Sequence, residues 1–199
     1  MLRHLIIGAG LAVAAAIATA PAVAQEYKAR LDGFFEVGAL PALNNTTTPP
    51  TFTAPTGAIL TNGTGKLRLV VDRNSASYSL TYSGLTSDVL QAHLHFGKVH
   101  VAGGIYAFLC TNLGNGPAGT PACPAAGGTV TGTLTAASIR PVPSQNITAG
   151  NFDALLAALS SDTTYVNVHT KNFPSGEIRG QTQRRENDDD DDDRQGRDR

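Results

Sequence analysis

The sequence predicts an all-β fold: an antiparallel sandwich or barrel, immunoglobulin-like or dismutase-like in architecture, carrying one short helix. Three observations predict it. From Tyr27 to Gln183 the chain falls into short runs rich in Val, Leu, Ile, Tyr, Phe and Thr, separated by clusters of Gly, Asn, Pro and Ser. Several runs alternate apolar with polar residues, the period of a strand with one buried face. Only one stretch shows a helical period. Strands at this rhythm suit a sandwich or barrel of antiparallel strands.

Both termini are set apart from that domain. Arg3 and His4 form a polar start, "LIIGAGLAVAAAIATA" is an apolar core, and Ala22-Val23-Ala24 is a small-x-small cleavage site. This is the pattern of a secretory signal peptide over residues 1–24, with the mature chain starting at Gln25. The expectation is an exported protein, periplasmic or secreted, with no membrane span after cleavage. At the other end, "RRENDDDDDDRQGRDR" holds six consecutive aspartates, Asp188 to Asp193, and no apolar residue. Such a run repels itself and buries nothing, so residues 184–199 read as a disordered acidic tail. It lacks the Gly and Asn punctuation and the distal Glu of a calcium loop. The domain is therefore residues 25–183.

The formal net charge of −1 conceals these tails. Setting aside Arg3, and three arginines and seven aspartates of residues 187–199, leaves 11 basic and nine acidic residues. No basic stripe is present, which argues against nucleic acid as a partner. The expected partner is an unidentified extracytoplasmic protein or surface component.

The elements follow in order. "YKARLDGFFEVG" alternates loosely through Leu31 and Phe35. Residues 40–63 form a long Thr/Pro/Asn/Gly loop. "GTGKLRLVVD" sets Leu67, Leu69 and Val71 on one face against Lys66 and Arg68. "SASYSLTYSGL" does the same with Tyr78, Leu80 and Tyr82, and "DRNSA" between them is the turn of a hairpin. "LQAHLHFG", "GIYAFLC", "GTVTGTLTAASI", "TYVNVHT" and "GEIRGQT" are further strands. "NFDALLAALSSD" places Phe152, Leu155, Leu156 and Leu159 at helical spacing, with Asn151 as N-cap and Asp153 in the first turn, a helix expected to cover an edge or end of the β core. Cys110 and Cys123, the only cysteines, flank a Gly/Pro-rich loop. In an exported chain an even pair points to a disulfide.

The pieces "RLDGFFEV", "SYSLTYSGL", "AHLHFGKVHVAGGI" and "FDALLAAL…TYVNVHTKNFPSGEIRGQ" together make the chain resemble the CHRD (chordin-type) domain family in its bacterial exported form. The resemblance spans residues 27–183. It implies an all-β, immunoglobulin-like or barrel-like domain with no firmly attached catalytic activity. Growth-factor binding is not carried over, because the chain has no cysteine-rich modules of the chordin type. The loop after Gly38 and the cysteine loop look like insertions.

The residues with chemistry to offer are histidines. Strand alternation puts His93 and His95 on one face of "QAHLHFG", and Tyr165, Asn167 and His169 on one face of "TYVNVHT". Glu177 and Arg179 alternate against Ile178 in the next strand. If these strands are neighbours, His93, His95, Asn167, His169, Glu177 and Arg179 share a polar face. Two readings follow. The face is a structural hydrogen-bond network, with Arg179 pairing with Glu36 or Glu177. Alternatively His93, His95 and His169 hold a single copper or zinc ion, both of which accept neutral imidazole. The His-x-His strand followed by Phe-Gly is similar to that of copper-zinc superoxide dismutases. Only four histidines remain after Gln25, too few for a dinuclear site, so dismutase activity is not expected. No nucleophile elbow or phosphate loop is present, and a non-enzymatic protein is expected.

Overall fold

The computed structural model describes residues 24–37, 43–44, 51–52 and 57–185. The predicted signal peptide before Ala24, most of the long loop, and residues 186–199 of the predicted tail lie outside the described residues; Arg184, expected in that disordered tail, instead pairs with Tyr27 in the sheet, and Arg185 N donates to Glu26 O. The described chain comprises β1 (Gln25–Asp32), β2 (Leu43–Asn44), β3 (Thr51–Phe52), β4 (Thr64–Val71), β5 (Ala76–Ser83), β6 (Val89–Phe96) and β7 (Gly104–Thr111). Then follow β8 (Gly128–Leu134), α1 (Phe152–Ser160), β9 (Thr164–Thr170), β10 (Ile178–Gln181) and β11 (Gln183–Arg184).

One antiparallel sheet carries the fold, in the order β7-β6-β9-β10-β1-β4-β5-β8, with β11 paired to β1. The sheet curls until its two edges nearly meet. Ala107 of β7 bridges to Ile139, just beyond β8. Arg140 N donates to Tyr106 O at 2.9 Å, and the Tyr78 hydroxyl donates to Leu109 O. Of the two arrangements expected, the fold is therefore a nearly closed barrel. Its interior follows the predicted alternation: Leu67, Leu69 and Val71 of β4 and Tyr78, Leu80 and Tyr82 of β5 face inward, joined by Ala92, Leu94, Val166, Val168 and Ile178. The β4–β5 hairpin closes through Asp72 N donating to Ser75 O.

The helix forms where its period placed it. Asn151 Oδ1 accepts from Ala154 N, and Phe152, Leu155 and Leu159 pack into the barrel core. Leu156 is only partly buried, and Ala158 takes its place on the inner face. Cys110 and Cys123 form the predicted disulfide. Asn112 ties the same loop down, donating to Val89 O and Cys123 O and accepting from Cys123 N.

One expected strand residue is displaced. β1 stops at Asp32 because its carboxylate accepts from Phe34 N and Phe35 N, capping a 3-10 turn over Gly33–Phe35. Phe35 is therefore half exposed rather than in the core, and its ring stacks on His100 with centroids 6.4 Å apart.

A candidate metal centre

Strand order decides whether the histidines meet. β6 pairs with β9, and β9 with β10. Gln91 lies opposite His169, His93 opposite Asn167, His95 opposite Tyr165, and Arg179 opposite Asn167 from the other side. The face turned away from the barrel core thus carries His93, His95, Tyr165, Asn167, His169 and Arg179 on three adjacent strands. The β6–β7 ladder shifts register between Ala92 and His93 and again between Leu94 and His95. Such bulges re-aim side chains, and here one immediately precedes each histidine of the His-x-His.

This outer face is not solvated. All seven residues of β9 are buried, and so are His93, His95 and Arg179. The segment from Gly97 to Gly103 lies over it as a roof held by side chains of the sheet. Arg179 Nη2 donates to Lys98 O (3.1 Å) and Val101 O (3.0 Å), and Gln181 Nε2 donates to Gly97 O (3.0 Å). The roof comes very close. A Cβ on Gly103 would sit 1.9 Å from Phe96 O, so only glycine allows this approach.

Under the roof, His93, His95 and His169 each offer a nitrogen within 4.8 Å of the others. His93 Nδ1 lies 3.2 Å from His169 Nε2. Donors about 2.0–2.1 Å from one ion stand about 3.3–3.6 Å apart in trigonal or tetrahedral geometry, so the cluster is close to the size an ion requires. Backbone carbonyls set the tautomers. His95 Nδ1 donates to Gly103 O (2.9 Å) and His169 Nδ1 donates to Pro174 O (2.9 Å). Both rings therefore turn an Nε2 lone pair toward the cluster, the arrangement in which outer hydrogen bonds orient a metal-ligating histidine.

Proton counting then exposes a deficit. His169 Nε2 faces His93 Nδ1 and, at 2.9 Å, Asn167 Oδ1. His93 Nε2 and His95 Nε2 are buried without a hydrogen-bond partner. A neutral His93 has one N–H to offer, fewer than the lone pairs gathered there. Unpaired buried polar atoms are costly, and a cation held by one nitrogen of each ring would remove the deficit at His95 Nε2. The rings are neutral near pH 7. Burial pushes the pKa of His93 down to about 2, helped by His169, His95 and Arg140, and burial pushes His95 and His169 down to about 4.

The surroundings are aromatic. The His93 ring meets the edge of Phe108 at 4.4 Å, and His95 stacks on Tyr165 at 4.6 Å and 9°. Arg179 lies 3.4 Å over the opposite face of that layer, against the Tyr165 ring, and Arg140 lies 5.4 Å over Phe108. Tyr165 Oη accepts from Gly103 N, so the stack also supports the roof.

One expected member has left the face. Glu177 precedes β10 behind Gly176, whose φ of 127° bends the chain. Its carboxylate accepts from Thr61, Thr86 and Thr170 and makes no contact with the histidines. Arg179 accordingly does not pair with Glu177; it serves the roof, and Glu36 acts on it electrostatically. His100 is exposed and outside the cluster. The sequence reading missed Gly103, Phe108 and the Pro174 carbonyl. The one signal in the sequence is the Gly103-Gly104 pair, since adjacent glycines mark a turn, a bulge or a close backbone approach.

A curled antiparallel barrel with a histidine cluster on its outer face, roofed by the following loop, describes a class of β-domain. The sequence model of the CHRD domain matches residues 27–182, and the chain belongs to the CHRD domain family. That family consists of non-catalytic domains. Comparison with curated proteins and with solved structures returns no match. No helix among the described residues is long and apolar enough to cross a membrane.

Proposed function

We propose that this CHRD domain is an exported, non-enzymatic metal-binding module that holds one copper or zinc ion through His93, His95 and His169. The observation that carries the reading is the convergence of three buried imidazoles whose ligand atoms lie within 4.8 Å of one another, with His95 Nε2 left without a hydrogen-bond partner. A hydrogen-bond network built for structure alone leaves few such atoms. Asn167 is the fourth group at the site, through its amide. Ala22-Val23-Ala24 and the apolar stretch before it support export.

The test is elemental analysis of the chain as purified from its own host. One equivalent of copper or zinc per chain is expected, and none in a His95→Ala/His169→Ala variant whose circular dichroism matches the parent. Equal metal content in parent and variant would defeat the reading and leave the histidines as sheet-face hydrogen bonders.

A further inference from the structure

We infer that the site selects copper as the monovalent ion, Cu(I), over Zn(II) and Cu(II). The inference rests on the metal-site reading above and adds the oxidation state and the reason for it. The grouped ligands are three imidazoles with no carboxylate among them, and the adjoining Asn167 is neutral. An ion entering this site keeps its full charge. The cost of moving an ion from water into a medium of low dielectric rises with the square of its charge, so a divalent ion meets about four times the penalty of a monovalent one.

The nearby fixed charges add to the bias. Arg140 stands one ring away behind Phe108, and Arg179 stands one ring away behind Tyr165. Each repels a divalent ion twice as strongly as a monovalent one. Glu36 offsets part of the Arg179 contribution, and no carboxylate of the described residues offsets Arg140 by an ion pair. Coordination number points the same way. Zn(II) completes four ligands, commonly with a water or a carboxylate. Here the three rings are 0–6% exposed, packed under the Gly97–Gly103 segment and between Phe108 and Tyr165. Cu(I), with a filled d shell, is content with two or three nitrogens and needs no retained water.

Competition titrations of the purified full chain provide the test. Cu(I) is measured anaerobically against bicinchoninate, and Zn(II) and Cu(II) against 4-(2-pyridylazo)resorcinol. The expected result is one Cu(I) per chain, bound at least on the order of 100-fold more tightly than Zn(II) or Cu(II), with the preference lost in His93→Ala. His-dependent binding of Zn(II) or Cu(II) as tight as that of Cu(I) overturns the inference and leaves the metal site standing. Binding of no ion that depends on the histidines overturns both. Metal that persists in His93→Ala belongs to the aspartate run and counts as no binding at the site. Arg140→Glu keeps all three ligands and changes only an exposed side chain. It should narrow the Cu(I) preference by on the order of tenfold, and an unchanged ratio refutes the electrostatic basis.

Discussion

Removing the Glu177 carboxylate should destabilise the barrel and leave the histidine cluster intact. This side chain is fully buried and accepts four hydrogen bonds: Thr61 Oγ1 (2.7 Å), Thr86 N (2.9 Å), Thr86 Oγ1 (2.9 Å) and Thr170 Oγ1 (2.6 Å). It thereby clamps the segment before β4, the β5–β6 connection and the end of β9. In Glu177→Ala, water reaches Thr86, which is exposed, and in part Thr61, which is half-buried. Exchanging those three charge-assisted bonds for bonds to water costs about 0.5 kcal/mol each. Thr170 is buried, and its stranded hydroxyl adds about 1–2 kcal/mol. The sum is about 3 kcal/mol, or roughly 6–12 °C in Tm for a domain of this size. Urea unfolding followed by circular dichroism measures it, with the slope m as the check that two-state behaviour holds. A variant within about 0.5 kcal/mol of the parent would refute the clamp. A folded variant that has lost its metal would refute the separation of Glu177 from the histidines.

Two further outcomes follow from the fold. Opening the Cys110–Cys123 bridge, whose partners are 13 residues apart, by a Cys110→Ala/Cys123→Ala variant should cost about 3 kcal/mol from loop entropy. A loss below about 1 kcal/mol in urea unfolding would mean that the Asn112 bonds restrain the loop without it. Alkali should unfold the domain between pH 10 and about 12. Burial raises the hydroxyl pKa of Tyr78 and of Tyr82 to about 12. The unfolded chain therefore loses these protons first, near pH 10, and stability drains away until the folded-state values are passed. Tyr78→Phe should flatten part of that decline, and an unaltered alkaline limb would contradict it.

The barrel was legible from alternation because most strands bury one face. β4 and β5 read correctly residue by residue, and the helix period with Asn151 before it located α1 to within a residue. The site was half legible. Alternation alone put His93 and His95 together, and His169 with Asn167 and Tyr165, but the order of strands in the sheet is a long-range property, and pairing β6 with β9 crosses β7, β8 and α1. Phe35 and Glu177 were misread for one reason. Each sits where the chain leaves the extended conformation, at the Asp32 cap and at Gly176, and beyond such a bend the two-residue period no longer assigns a face. Gly103 and Pro174 act through backbone carbonyls, to which side-chain type is blind.

The remaining puzzle is why β9 is buried on both faces when a small barrel normally leaves its outer face wet. Its outer residues are His169, Asn167 and Tyr165, of which only Tyr165 is a core former, so hydrophobic burial accounts for little of the cover. Polar contacts hold the cover in place, although Arg179 Nη1 and Gln181 Oε1 stay buried without a partner. The roof brings main-chain carbonyls of Lys98 and Val101 down to Arg179, of Gly97 to Gln181, and of Gly103 to His95. Arg179 in turn lies flat on Tyr165, which lies flat on His95. Two of these contacts lead to an imidazole: Gly103 O holds His95 directly, and Arg179 reaches His95 through the Tyr165 ring. Glu177 and Arg179 divide the labour two residues apart. The first ties together the segment before β4, the β5–β6 connection and the end of β9, and the second holds the roof over the three histidines. Enclosing this face keeps water from the three imidazoles, which is the setting the proposed cation site requires.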